Sequence, residues 1–207
     1  MSKITYSNYK NTRDLAWSIL IENNICELPV KISSICRNMN IKIKSYEDAK
    51  LLSKLPNMKN AFNQNDGFSM FETIFYNQDC TVGRQRFTVA HELLHIIKHE
   101  RSYINREPSA DDSPIETEAN IFASRILAPA CVLWSLNITN AEDISKLCNI
   151  SLTSARFRME RLNLLYEREK RFLNAYGRSC FLQSPLEHKV YEQFKPYITS
   201  IRVCRRP

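Results

Sequence analysis

Residues 86–95 read Arg-Phe-Thr-Val-Ala-His-Glu-Leu-Leu-His, and the last five of them carry the strongest signal in the chain. In an α-helix, side chains four residues apart lie on one face about 6 Å apart along the axis, so His91 and His95 can both point to one metal ion. Glu92 then lies beside that ion without binding it. This is the spacing of zinc hydrolases, in which two histidines hold Zn²⁺ and the glutamate takes a proton from the attacking water. The motif therefore predicts a helix that carries a catalytic zinc site.

A catalytic zinc site needs a third protein ligand, and the chain after the motif offers two glutamates, Glu116 and Glu118. Apolar side chains at helical spacing predict a second amphipathic helix over residues 115–127, with an inner face formed by Ile115, Ala119, Phe122 and Ile126. Both glutamates lie near its start. Glu116 is favoured because Asn120 follows one turn later, where its amide can orient a histidine ligand. Glu118 stays the alternative ligand.

Two further residues near the motif, His99 and Tyr103, are possible cleft residues. Along a continuous helix His99 lies about 12 Å from His91, too far to share one ion. It either faces the substrate cleft or is a solvated residue in the last helical turn. Tyr103 belongs to a polar segment between His99 and Pro114, which is expected to be a surface loop, either a lid or a connector. Both side chains, and the arginines of this segment, are candidates for stabilising the charge that develops on the attacked carbonyl.

Residues 86–95 and 116–129 together resemble the ImmA/IrrE family of metallopeptidases. The resemblance implies a zincin-like fold, zinc held by His91, His95 and Glu116, and Glu92 as the general base. Members of the family cleave helix-turn-helix repressors that silence mobile elements or stress genes, so it also implies this class of protein substrate. Zinc is the expected ion, with Mn²⁺ as a substitute in vitro. Many members have glycine where this chain has Leu94, which concerns local packing more than the metal.

The composition is that of an intracellular enzyme with one main core. The 207 residues are 43% hydrophobic, enough for one core with a small appendage. No segment approaches the roughly 20 apolar residues that span a bilayer, and the start lacks an apolar signal core, so a cytoplasmic location is predicted. Seven cysteines without a Cys-x-x-Cys pair are expected to be free thiols. The three glycines form no phosphate-binding motif, which argues against nucleotide chemistry.

Periodicity predicts an α+β fold with a small sheet before the motif helix. The expected elements are helices over residues 13–24 and 30–39, a strand over 41–44, and a hairpin over 67–71 and 73–76. The hairpin bend is expected near Phe71 and Glu72, and Thr81 is expected to cap the motif helix. An edge strand of this sheet either receives the substrate as an added strand or only supports the helix.

The region after residue 138 is predicted to be a separate helical module. Asn140 and Ser151 are expected to cap two short helices, and the second, over residues 152–162, has apolar side chains on one face (Ala155, Met159 and Leu162) and arginines outside (Arg156, Arg158 and Arg161). Two short helices around a tight turn have the outline of a helix-turn-helix. The predicted domains are therefore a zincin-like peptidase domain over 1–138 and a helical module over 139–207, ending in a helix with Leu186, Val190 and Phe194 on its inner face.

The net charge of the helical module bears on whether its partner is DNA or a protein. Residues 141–207 contain 13 Lys and Arg against 7 Asp and Glu, a net charge of +6. DNA contact is possible on that ground, but the second helix lacks Asn and Gln for adenine edges, so a protein partner is favoured. The sequence therefore predicts a zinc-dependent endopeptidase that acts on a protein and has no membrane contact. The alternative is a non-proteolytic, metal-containing anti-repressor or DNA-binding regulator.

Overall fold

The structure is a computed structural model that describes residues 6–54, 62, 66–98, 114–182 and 184–204. In chain order the helices of these ranges are α1 (Tyr6–Glu22), α2 (Ile32–Asn38), α3 (Val82–Ile97), α4 (Pro114–Leu127), α5 (Ala130–Ser135), α6 (Ala141–Cys148), α7 (Leu152–Tyr176) and α8 (Pro185–Cys204). The strands are β1 (Lys42–Ser45), β2 (Gly67–Met70) and β3 (Thr73–Tyr76). This mixture of helices with a small sheet confirms the predicted α+β class.

The described strands form one sheet in the order β1, β3, β2. Strand β1 runs parallel to β3, and β2 runs antiparallel to it. A tight turn at Phe71 and Glu72 joins β2 to β3, which confirms the predicted hairpin. Helix α3 begins soon after β3 and packs on both strands of the hairpin. Strand β2 is therefore an edge strand that lies against the helix with the histidine motif.

Gly67, the first residue of β2, allows the strand to approach α3 closely. A Cβ atom at this position would collide with the Cγ2 methyl group of Thr88 on α3 and would lie 2.7 Å from the carbonyl oxygen of Phe75. Thr88 is buried, so its methyl group has little room to move away. The absence of a side chain at Gly67 therefore sets the distance between strand and helix.

We expect the Gly67→Ala variant to unfold more easily than the wild type, with a free energy of unfolding about 1–3 kcal/mol lower, because the added methyl group overpacks this contact. Urea denaturation measures the difference. Adding Thr88→Ser removes the opposing methyl group and should recover part of the loss. An unfolding free energy unchanged by Gly67→Ala would contradict the tight approach of β2 to α3.

The chain clusters into two compact units. The first contains the described residues up to Arg13 and those of Lys31–Ala123, so it holds α2, the sheet and α3. The rings of Phe68 and Phe75 stack in its aromatic core with centroids 4.9 Å apart, and Tyr46 packs against them. These two phenylalanines lie on neighbouring strands, so their contact fixes the register of the hairpin.

The second unit contains Asp14–Val30 and the described residues from Ser124 onward. Helix α8 packs into the core of this unit through Val190 and Phe194, which are fully buried, as their spacing predicted. Helices α6 and α7 pack on each other in the same unit. The domain boundary predicted after residue 138 stays a prediction.

Arg158 was predicted on the outer face of α7, and this prediction was wrong. The residue is only 5% exposed, and its Nε donates a hydrogen bond of 2.8 Å to the carbonyl oxygen of Ala128. Burial lowers the pKa of its guanidinium to about 10, so the group stays charged at neutral pH. Position 158 lies one turn from Ala155 and from Leu162, on the packed face. Its charge indicated exposure, but a guanidinium that finds an acceptor can be buried.

Three helix ends also differ from the predictions. Ile115 was expected on the inner face of α4 but is 46% exposed, because it lies in the first turn, before the packed part of the helix. Thr81 occupies the predicted N-cap position of α3, yet its side chain makes no capping hydrogen bond. Helix α7 continues past residue 162 to Tyr176.

Within the described ranges, none of the helices combines the length and apolar content that crossing a membrane requires. Six cysteines are free thiols, as predicted from their spacing: Cys26, Cys36, Cys80, Cys131, Cys148 and Cys180. Burial raises the pKa of the Cys36 thiol to about 12, so this cysteine stays protonated and acts as a small apolar group in the core.

Candidate metal centre

Helix α3 brings the two histidines of the motif together, as its spacing predicted. The Nε2 atoms of His91 and His95 lie 3.2 Å apart. The His95 side chain is almost fully buried, and that of His91 is 15% exposed. In the part of the chain that the structure describes, His91, Glu92 and His95 form a group whose candidate ligand atoms all lie within 4.8 Å of one another. Such a group can hold a metal ion.

Glu116, in the first turn of α4, places its carboxylate against both histidines. One carboxylate oxygen lies 3.0 Å from Nε2 of His91, and the other lies 3.4 Å from Nε2 of His95. Burial alone would raise the pKa of Glu116, but hydrogen bonds and charge interactions with the two imidazoles hold it well below its usual range. The carboxylate is therefore ionised, as a metal ligand must be.

The two imidazoles and the Glu116 carboxylate lie close enough together to share one metal ion. Ligand atoms about 2.0–2.1 Å from zinc at tetrahedral angles lie about 3.3 Å from one another. The two imidazole nitrogens and the Glu116 carboxylate are separated by 3.0 to 3.4 Å. Two nitrogen donors and one carboxylate are also a donor set that catalytic zinc sites use. His91, His95 and Glu116 could therefore hold the ion while a fourth position stays open.

Asn120, one turn after Glu116 on α4, lies beside His91, the first histidine of the motif. Its amide oxygen is 3.1 Å from Nδ1 of His91. If Nδ1 carries the proton and donates to this oxygen, the lone pair of the imidazole is on Nε2, the atom that faces His95 and Glu116. Asn120 thereby favours the tautomer of His91 that can bind a metal.

Glu118 is engaged elsewhere. One of its carboxylate oxygens accepts a hydrogen bond of 2.7 Å from the hydroxyl group of Thr12, and the other forms an ion pair with Lys98 just after α3. These contacts connect the start of α4 with α1 and with the end of α3. They give Glu118 a bracing role and support Glu116 as the third ligand.

Glu92, the expected general base, is held by a residue that the sequence analysis did not identify. The hydroxyl group of Ser69 on β2 donates a hydrogen bond of 2.7 Å to Oε2 of Glu92. Both residues are buried, at 6% and 4% exposure. A serine within a strand has no spacing that marks it as functional, so only the packing of β2 on α3 reveals the contact.

The two possible cleft residues, His99 and Tyr103, lie outside the described residues. Their proposed roles in the cleft and in stabilising the attacked carbonyl therefore stay predictions.

A comparison with protein families matches residues 46–160 to the model of peptidase family M78, described as the IrrE N-terminal-like domain. The match covers more than half of the chain and includes His91, Glu92, His95 and Glu116. A comparison with proteins of curated function found no match.

Proposed function

Because the chain belongs to the M78 family of IrrE N-terminal-like metallopeptidases, we propose that it is a zinc-dependent endopeptidase. One observation carries this proposal: the carboxylate of Glu116 converges with the Nε2 atoms of His91 and His95 at distances that suit one zinc ion. Glu92 lies within the same group, which a purely structural zinc site would not need.

The residues of the site suggest how a peptide bond is cleaved. A bound zinc ion would activate a water molecule and polarise the scissile carbonyl. Glu92 accepts a proton from the attacking water and passes it to the leaving amine nitrogen. Ser69 holds the Glu92 carboxylate in one orientation, and Asn120 does the same for the His91 ring. These hydrogen bonds hold the groups in place before the reaction and limit the reorganisation that it requires.

The proposed substrate is a helix-turn-helix repressor whose cleavage relieves repression of a mobile element or of stress genes. Family membership supports this substrate class. To test it, the purified chain is incubated with the repressor encoded by a neighbouring gene, in the presence of Zn²⁺ or Mn²⁺, and the products are identified by mass spectrometry. Cleavage at a defined bond that stops when a chelator is added is the expected result. An intact repressor under all of these conditions would contradict the substrate assignment.

We further propose that residues 139–207 form a helix-turn-helix-like module. Helix α6 is capped by Asn140, whose side chain accepts a hydrogen bond of 2.8 Å from the backbone amide of Asp143. Asn149, at the end of α6, has the left-handed conformation with a φ of 50°. Ser151 then caps α7 through the backbone amide of Ser154. A short helix, a turn of three residues and a second helix support the predicted outline.

We expect Ser69→Ala to lower kcat by about 10-fold or more with little change in KM, because a hydrogen bond to a charged group contributes about 1.5–3 kcal/mol. Ser69→Thr keeps the hydroxyl group and should retain most of the activity. Steady-state kinetics of repressor cleavage measure kcat and KM. Metal analysis checks that the zinc content is unchanged. Equal losses for the alanine and threonine variants would indicate a packing role for Ser69 instead of orientation of Glu92.

A further inference from the structure

Helix α7 carries an exposed row of side chains that we call the outer stripe, formed by Phe157, Arg161, Leu164, Arg168 and Arg171. Alternating steps of four and three residues place all five on one face of the helix. Phe157 is 68% exposed and Leu164 is 62% exposed. Two large apolar side chains two turns apart on the exposed face of a helix indicate a surface that contacts another molecule. They are not explained by packing within the protein.

The packing of α7 is already satisfied on its other faces. Ala155, Met159 and Leu162 are buried in the second unit, and Tyr166 donates a hydrogen bond of 2.7 Å to the carbonyl oxygen of Ile138. The outer stripe is not needed for any of these contacts. Its apolar side chains are therefore available to another molecule.

The outer stripe is positively charged. It contains three arginines and no acidic residue. The nearest acids of the helix surface, Glu160 and Glu167, lie to one side, and Glu167 forms an ion pair of 2.9 Å with Lys170. The guanidinium of Arg168 lies 5.8 Å from the centre of the Phe172 ring, so a positive charge and an aromatic side chain are neighbours on this part of the helix.

These charges disfavour a second copy of the chain as the occupant. In a symmetric dimer the same patch faces itself, so the arginines of one copy would be brought close to the arginines of the other. Duplex DNA is disfavoured for a different reason. Phe157 and Leu164, the apolar part of the stripe, gain nothing from phosphate groups.

We propose that the outer stripe of α7 is a docking surface for an acidic amphipathic helix of a partner protein. Apolar side chains of that helix would cover Phe157 and Leu164, while flanking carboxylates would pair with Arg168 and Arg171. A helix that presents its apolar face to such a surface is a common mode of recognition. One helix against one stripe buries a small area, which suits a transient complex.

This docking surface does not depend on peptidase activity, so it is tested by binding alone. The probe is a synthetic 20-residue helical peptide with leucines on one face and glutamates flanking them, labelled for fluorescence anisotropy. The matched control peptide has lysine in place of each glutamate. We expect the full-length chain to bind the glutamate peptide at least about 10-fold more tightly at low salt. The difference should shrink as salt shortens the Debye length from about 30 Å at 0.01 M to about 3 Å at 1 M.

Two sets of variants locate the binding site. Phe157→Ser with Leu164→Ser should weaken binding of the glutamate peptide by about 10-fold or more, because apolar contact is lost. Arg168→Glu with Arg171→Glu should reverse the preference in favour of the lysine peptide. The control is Arg156→Glu with Arg178→Glu, an equal charge change at exposed positions outside the stripe, which should keep the original preference. Circular dichroism checks that every variant is folded.

Several outcomes would overturn the proposal. Equal binding of the two peptides, or equal losses in the stripe variants and the control, would show that the stripe does not recognise acidic helices. Tighter binding of a 20-base-pair duplex, lost on Arg168→Glu with Arg171→Glu, would assign the stripe to DNA. A dimer in size-exclusion chromatography that Phe157→Ser dissociates would assign it to a second copy of the chain. Preferential binding of anionic lipid vesicles would assign it to a membrane surface.

Discussion

Glu92→Gln should remove nearly all peptide cleavage while the protein keeps its fold and its metal. A positioned general base accelerates proton transfer by about 10²- to 10⁴-fold, and an amide cannot accept the proton of the attacking water. Glutamine has almost the same shape as glutamate, and its carbonyl oxygen can still accept the hydrogen bond from Ser69. Single-turnover cleavage of the repressor, followed by mass spectrometry, measures the loss.

The controls for this variant are zinc content and thermal stability, which should equal those of the wild type because Glu92 is not proposed as a ligand. Glu22→Gln offers a matched change of the same residue type outside the described metal site and should leave the cleavage rate unchanged. A Glu92→Gln enzyme that cuts the repressor at the wild-type rate would rule out Glu92 as the base.

The second large effect is expected on metal binding. Glu116→Ala removes a carboxylate that lies within 3.4 Å of both histidine Nε2 atoms, so the affinity for zinc should fall by more than about 100-fold. Glu118→Ala should lower the affinity by at most about 10-fold, because its carboxylate binds Thr12 and Lys98 instead. Competition with a chromogenic chelator measures both affinities.

This pair of variants discriminates between the two glutamates directly. Both changes remove one carboxylate from the same helix, and thermal unfolding of the metal-free proteins separates a loss of folding stability from the loss of a ligand. If Glu118→Ala empties the site and Glu116→Ala does not, the ligand assignment is wrong.

Patterns among residues that are near one another in the sequence were sufficient to predict several strands and helix starts. Alternation of side chains gave the β2–β3 hairpin, and cap residues gave the starts of α6 at Asn140 and of α7 at Ser151. The end of α7 was placed too early because the apolar repeat fades after Leu162. The stop signal was present in Gly177, which ends the helix in the left-handed conformation with a φ of 64°.

The metal site could be predicted as far as its chemistry follows from sequence spacing. His91 and His95 are four residues apart on one helix, so their convergence is a property of the helix itself. From the residues themselves, Glu116 was preferred over Glu118 because Ala119 and Asn120 follow it by one turn, and Glu118 pairs with Lys98 instead.

Contacts between elements distant in sequence could not be predicted in this way. The hydrogen bond from Ser69 to Glu92 spans 23 residues and depends on which turn of α3 faces β2. Alternation along a strand indicates which face a serine occupies but not its partner across the interface. Arg158 shows the same limit, because its acceptor, the carbonyl oxygen of Ala128, lies 30 residues away.

The close approach at Gly67 has a consequence for saturation mutagenesis of this chain. Any substitution at position 67 adds a Cβ that meets Thr88 and the Phe75 carbonyl oxygen, so selection for cleavage activity should disfavour all nineteen alternatives there. Gly67 would then score as a sensitive position and would resemble a catalytic residue in the library. Repeating the selection in a Thr88→Ser background separates the two causes, since alanine at position 67 should score better there while position 91 stays invariant. Intolerance at this glycine would thus report a steric requirement of the fold and not a chemical role.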